Sequence, residues 1–133
     1  MKEFVISDTH FFHANIIKYC SRPFADVEEM NTVMVNNWNS VVSPDDTVFH
    51  VGDFSFGKIE NVAAIRKQLN GKIILILGNH DRNPRQMKES GIDEAYNKLV
   101  IVRRDRTVLF HHRPWVGPFQ HRFHIYGHVH NSG

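Results

Sequence analysis

Ile73-Ile74-Leu75-Ile76-Leu77-Gly78-Asn79-His80-Asp81 sets a five-residue apolar run directly against a glycine and three polar side chains. A short β-branched run that ends in a turn residue reads as a buried strand. The same composition recurs on both sides of it. Phe4-Val5-Ile6-Ser7 runs into Asp8-Thr9-His10, and Thr47-Val48-Phe49-His50-Val51 runs into Gly52-Asp53. Thr107-Val108-Leu109-Phe110 runs into His111-His112, and Phe123-His124-Ile125-Tyr126 into Gly127-His128-Val129-His130. Only Leu99-Val100-Ile101-Val102 departs from the rule, ending in Arg103-Arg104. Loops at the carboxyl ends of strands in open α/β sheets converge on one crevice. A chain that supplies Asp, Asn and His at five such exits is building a multi-ligand metal site, and an enzyme is expected.

At 133 residues the chain can bury one real core and is too short for two ordinary domains, so a single domain over 1–133 is expected. A net charge of +2 favours neither nucleic acid nor an acidic partner. The Arg103-Arg104-Asp105-Arg106 cluster reads as a solvated turn between strands. The lone Cys20 excludes an intramolecular disulfide and a thiolate zinc site, and fits a reducing compartment. Lys2 and Glu3 are not followed by a signal-peptide core, and no apolar stretch approaches the roughly 20 residues of a membrane span. The expectation is a soluble, cytoplasmic protein with no membrane partner. Of ten histidines, six stand in the strand-exit motifs, which ties that unusual count to the site.

Between the strands, Ala14 to Tyr19 can form a short helix. Asp26 reads as an N-cap with Glu29 as its capping-box partner, opening a helix whose apolar face is Val27, Met30, Val33, Met34, Trp38 and Val41. Ile59, Val62, Ile65 and Leu69 mark a second helix closed by Asn70-Gly71, and Asn83-Pro84 can open a third. Alternation of strands and helices predicts parallel pairing in the first half. The closely spaced strands from about Leu99 predict more antiparallel pairing.

Asp8 and His10 stand two apart, so in an extended segment both side chains face the same way and can chelate one ion. Gly52 permits a sharp turn, after which Asp53 can bridge two cations with its two oxygens or simply cap the turn. Asn79 offers an amide oxygen as a hard ligand, and His80 beside it can transfer a proton. His128 and His130 repeat the spacing of two. Each motif alone has a structural explanation; all four in one short chain point to a metal site.

In order and type, the motifs DTH (8–10), GDFSF (52–56), GNHD (78–81), HHRP (111–114) and GHVH (127–130) resemble the calcineurin-like metallophosphoesterase superfamily. The text around Phe11-Phe12-His13-Ala14-Asn15 and Arg22-Pro23-Phe24 looks like its small bacterial and phage phosphohydrolase branch. The resemblance covers nearly the whole chain. It implies an α/β fold, an αββα sandwich of two mixed sheets flanked by helices, with two divalent transition-metal ions at the strand exits. Carried over by position, Asp8, His10 and His130 would hold one ion, Asn79, His128 and His112 the second, and Asp53 both. His111 is the alternative to His112. His80 would be the general acid, oriented by Asp81 or otherwise by water or a backbone carbonyl. Ligands of this kind, without thiolates, suit manganese first, and iron, zinc or nickel otherwise. His13, Asn15, Arg22 and Arg113, and Arg82 beside its motif, are candidates for contact with substrate phosphate. His50 and His124 are expected in the core, and His121 at the surface.

The implied activity is hydrolysis of a phosphodiester or phosphomonoester on a small nucleotide-type substrate, with a metal-dependent nuclease or a non-catalytic scaffold of the same fold as alternatives. Oligomeric state is left open. Two departures from the family pattern stand out. Position 56 is Phe where the pattern has a second Asp, and the chain ends three residues after His130, where relatives continue with another strand, so it is either compact or shortened at its C-terminus.

Overall fold

A computed structural model describes residues 2–13, 17, 25–78, 81–103, 106–112 and 123–125. The first sheet takes β1 (Glu3–Ile6), β2 (Thr47–His50), β3 (Lys72–Ile76) and β4 (Glu94–Tyr96) in that order. All of its neighbours are parallel, with Phe4 beside Val48 and Val48 beside Ile73. The second sheet takes β5 (Lys98–Arg103), β6 (Arg106–His111) and β7 (Phe123–Ile125). β5 and β6 form the expected antiparallel pair, whereas β6 and β7 run parallel. The mixed pairing therefore lies in the second sheet, while the described strands of the first are wholly parallel.

Three helices have described bounds: α1 (Val27–Val41), α2 (Ile59–Arg66) and α3 (Pro84–Glu89). Parallel strands covered on both faces carry continuous apolar runs, because neither set of alternate side chains meets water. β2 and β3 follow that rule. Val48, Ile73 and Leu75 pack with Trp38, Val62, Ile65 and Met87 in a core under the helices. Phe49, Val51, Ile74 and Ile76 point the other way, into a second core with Leu99, Ile101 and Phe110. Phe49 and Phe110 stack across it at 4.9 Å. Helices, sheet and sheet are thus three layers of the expected sandwich; Val100 and Val102, on the outer face of β5, are exposed.

Asp26 caps α1 by accepting from the Glu29 amide at 2.8 Å, and the Glu29 carboxylate reaches back to the Ala25 amide at 2.9 Å. The buried stripe of α1 is Met30, Asn31, Val35 and Trp38. Val41, expected on that stripe, is 60% exposed, and Val42 is buried in its place. At 3.6 residues per turn a stripe through Asn31, Val35 and Trp38 next meets position 42. Asn83 caps α3, and Pro84 opens it as expected. Arg103 does more than sit in a solvated turn: its guanidinium makes a two-point pair with Glu3 at 3.0 and 2.6 Å, tying β5 to β1. No helix among the described residues is long and apolar enough to cross a membrane.

Nothing in the sequence marks β4, whose three residues contain no apolar run. It is held by its surroundings. Arg66, at the end of α2, donates to the carbonyls of Leu69 (2.8 Å), Gly71 (2.8 Å) and Gly91 (3.1 Å) and to Asp93 (2.9 Å). Asp93 in turn accepts from the Ile73 amide at 2.7 Å, setting the chain beside β3 just before β4 begins. Hydrogen bonds from a charged donor contribute about 1.5–3 kcal/mol where their loss leaves acceptors unsatisfied. Arg66→Met should therefore cost about 2–3 kcal/mol in urea denaturation; a loss under about 0.5 kcal/mol, the range of ordinary surface substitutions, would contradict the stapling role.

Candidate metal centre

The exits of β1 and β2 remain joined beyond their last strand residues. Val51 donates to the Ile6 carbonyl at 2.8 Å, Asp8 to Gly52 at 2.9 Å, His10 to Asp53 at 2.9 Å and Phe11 to Phe54 at 3.0 Å. Both loops turn through left-handed backbone as they run together: φ is 55° at Asp8, 52° at His10, 65° at Phe12, 97° at Gly52 and 54° at Asp53. The expected extended Asp8-Thr9-His10 segment is therefore replaced by a turning one. The two side chains converge all the same, because alternate left-handed residues bend the chain around the same point. Each non-glycine residue there costs on the order of 1 kcal/mol or more, and such strain concentrates at functional sites. Asn31 of α1 secures the far end of the loop, its side-chain oxygen accepting from the Phe12 amide at 3.0 Å.

Asp8, His10 and Asp53 each point one ligand atom into a common volume, all within 4.8 Å of one another. His10 Nε2 lies 3.7 Å from Asp8 Oδ1 and 3.6 Å from Asp53 Oδ2. His112 Nε2 approaches the same Asp53 oxygen at 3.3 Å. The His112 Nδ1–H donates to the Val51 carbonyl at 2.7 Å, so the neutral ring presents its Nε2 lone pair toward Asp53. Burial pulls the His112 pKa down, but Asp53 and the Val51 carbonyl outweigh it and hold the group above its ordinary value. Carboxylate oxygens and imidazole nitrogens converging in a buried pocket are the donor set a divalent transition-metal ion takes, so these residues fit the ions that the motifs imply.

Two glycines make the convergence sterically feasible. A Cβ on Gly52 would fall 2.0 Å from His112 Nδ1, and one on Gly78 would fall 2.4 Å from the Asp53 amide nitrogen and 2.5 Å from its Oδ1. Asp81 fastens the same two loops. Its Oδ2 accepts from the amides of Gly78 (2.8 Å) and Asp53 (2.9 Å), and its Oδ1 from that of Phe54 (2.9 Å). Burial pushes the Asp81 carboxyl up, against the pull of those amides.

Behind the ligands lies a layer of polar contacts. His10 Nδ1 stands 3.1 Å from His13 Nδ1, and the His13 ring stacks on Phe56 at 4.2 Å. Thr9 donates its hydroxyl to the Phe54 carbonyl at 2.8 Å and so receives the Nε2–H of fully buried His50 at 3.0 Å. Burial lowers the His50 pKa to about 3, with the neighbouring imidazoles adding to the effect and the Asp8 and Asp53 charges opposing it. Arg82 donates to the Gly57 carbonyl at 2.7 Å. A cleft of about 350 Å³ lies elsewhere, lined by Phe4, Val5, Met34, Trp38 and Val48, and its described lining offers no carboxylate or imidazole.

Of the expected ligands, then, the structure brings together Asp8, His10, Asp53 and His112; of the 111–112 pair it is His112 that meets Asp53. Asn79, His80, His128 and His130, and the candidate phosphate contacts Asn15, Arg22 and Arg113, lie outside the described residues. Asn31 and Thr9 were not legible as site residues. The available signal was a polar side chain on the apolar stripe of α1 and a hydroxyl inside the Asp-x-His motif.

A family model described as calcineurin-like phosphoesterase superfamily domain matches residues 1–133. The chain is 39% identical over 131 residues to an uncharacterized protein of Methanocaldococcus jannaschii, covering 97% of this chain and 69% of that protein. It is 38% identical over 79 residues to the gene 66 protein of Mycobacterium phage L5, covering 56% of this chain and 37% of the phage protein. The crystal structure of a protein of unknown function from Aquifex aeolicus is similar at a TM-score of 0.69 and 34% identity, over 92% of this chain and 66% of that one. The chain thus spans a little under two thirds of the Aquifex chain and 69% of the archaeal relative.

Two outcomes test this packing. Gly78→Ala should destabilise by about 1–3 kcal/mol, because the atoms it meets are backbone and a clamped carboxylate that cannot move aside; a stability equal to the parent's in urea would contradict it. His50 should make folding sensitive to acid. As the pH falls from 6.5 toward 3, the unfolded chain takes up a proton that the folded one refuses, so stability drops by up to about 1.4 kcal/mol per pH unit. His50→Gln should remove that component, and parallel pH profiles for the two proteins would refute it.

Proposed function

We propose, from the premise that this chain belongs to the calcineurin-like phosphoesterase superfamily, that it is a cytoplasmic hydrolase of phosphodiesters or phosphomonoesters, acting on a small nucleotide-type substrate. The observation that supports this best is the group of Asp8, His10 and Asp53, three ligand atoms within 4.8 Å of one another at adjacent strand exits. Two divalent ions are assigned, manganese first and iron, zinc or nickel otherwise. Asp8, His10 and His130 would hold one ion, Asn79, His112 and His128 the other, and Asp53 would contribute to both. When bound, such a pair neutralises the ester oxygens, steadies attacking and leaving groups, and lowers the pKa of a water.

The remaining work falls to the chain. His80, next to the ligand Asn79, donates a proton from its imidazole to the leaving oxygen. Asp81, whose carboxylate accepts from the amides of Gly78, Asp53 and Phe54, orients His80, or otherwise water or a backbone carbonyl does. The formal net charge of +2 favours a small ester over a nucleic-acid polymer.

Treatment with EDTA should abolish hydrolysis of nitrophenyl mono- and diesters, and Mn²⁺ should restore it, with two ions per chain at saturation. His80→Ala should retain metal yet lose about 10²–10⁴-fold in turnover on esters with poor leaving groups, less with nitrophenolate. Asp53→Ala should lose metal and activity together. Full activity in EDTA, or loss of metal in His80→Ala equal to that in Asp53→Ala, would overturn the assignment.

A further inference from the structure

His13 lies three residues beyond His10 and is buried, with its backbone amide donating to the His10 carbonyl at 3.0 Å. Its ring lies 5.2 Å from the His10 ring, inclined at 38°, so the two Nδ1 atoms meet at 3.1 Å. On its other side the ring is stacked on Phe56, nearly parallel at 14°. The Phe56 main chain is held, its amide donating to the Phe11 carbonyl at 2.9 Å. The His13 imidazole thus lies between the His10 turn and the Phe56 ring, with Nδ1 aimed at His10.

Two nitrogens at that distance share one proton, so one ring donates and the other accepts. The far nitrogen of His10, Nε2, faces Asp8 and Asp53 at 3.7 and 3.6 Å. A neutral imidazole binds a cation through the nitrogen that lacks a proton, and the hydrogen bond made by the other nitrogen decides which that is. We infer that His13 is a positioning residue for His10: its Nδ1 accepts the Nδ1 proton of His10, fixing the tautomer and ring angle that present Nε2 to an ion, while Phe56 fixes His13 in turn. A committed Nδ1 and a ring face covered by Phe56 assign His13 to this task. The inference rests on the metal-centre reading above, and adds to it that ligand quality at His10 is set by two side chains outside the ligand set.

The test combines nitrogen-15 NMR of the metal-free protein with Mn²⁺ titration of the parent, His13→Ala, His13→Asn and Phe56→Ala. The parent should show His10 protonated on Nδ1 alone. His13→Ala should mix the two tautomers and weaken Mn²⁺ binding by about 10–100-fold, the usual consequence of removing an outer-shell partner. Asn places an oxygen near the position of the lost nitrogen, so His13→Asn should recover most of the affinity, and Phe56→Ala should lose part of it without touching any ligand. A His10 proton on Nε2 in the parent, or parental Mn²⁺ affinity in His13→Ala, would overturn the inference. A parent that binds no Mn²⁺ would sink the metal-centre reading instead, while the tautomer of the metal-free ring still decides the contact between the two histidines.

Discussion

Asp53 is a carboxylate with no exposure to solvent, and a second carboxylate, that of Asp8, lies across the same small volume. Removing a charge from water costs several kcal/mol even after a protein relaxes around it. The side chains around it do not repay that cost. His10 and His112 direct Nε2 lone pairs at one Asp53 oxygen, and a bound cation would supply the compensation. Such an arrangement is poor as a stabilising device and sensible as a binding site, since the electrostatic cost is relieved only when positive charge arrives.

Holding those groups so close requires the main chain to do unusual things. Two parallel strands would diverge after their last paired residues, yet here the loops stay hydrogen-bonded through Phe11 and Phe54. They do so by passing through left-handed backbone at Asp8, His10, Phe12 and Asp53. The strain is borne by features that look incidental in isolation. Asp81 gathers three amides from two loops, Asn31 ties down Phe12, and Thr9 joins His50 to the Phe54 carbonyl. A metal site needs a well-held frame, because ligands misplaced by fractions of an ångström bind poorly.

Much of this was legible from residue order, and the exceptions have physical causes. Ile73 to Ile76 announce a strand buried on both faces, and the cores beneath the helices and between the sheets explain why no polar residue alternates with them. β4 was invisible because its pairing depends on Arg66, Asp93 and the edge of β3, none of them local signals. Val41 was misplaced because a helical stripe drifts, so a pattern anchored on Val27 and Met30 loses its phase after three turns. The spacing of Asp8 and His10 correctly marked a pair, but the alternation rule for extended chain does not describe two left-handed residues. His13 stood in view as a histidine near the first motif, and only its distance to His10 brings an orienting role into view beside that of a phosphate contact.

In the proposed function Asp53 would contribute to two metal ions at once. Anomalous diffraction from crystals grown with Mn²⁺ addresses it directly. Two peaks about 3.5–4 Å apart are expected, flanking the Asp53 carboxylate, one within ligand distance of Asp8 and His10 and the other of His112. Manganese density elsewhere in the molecule, with none at Asp53, would contradict it.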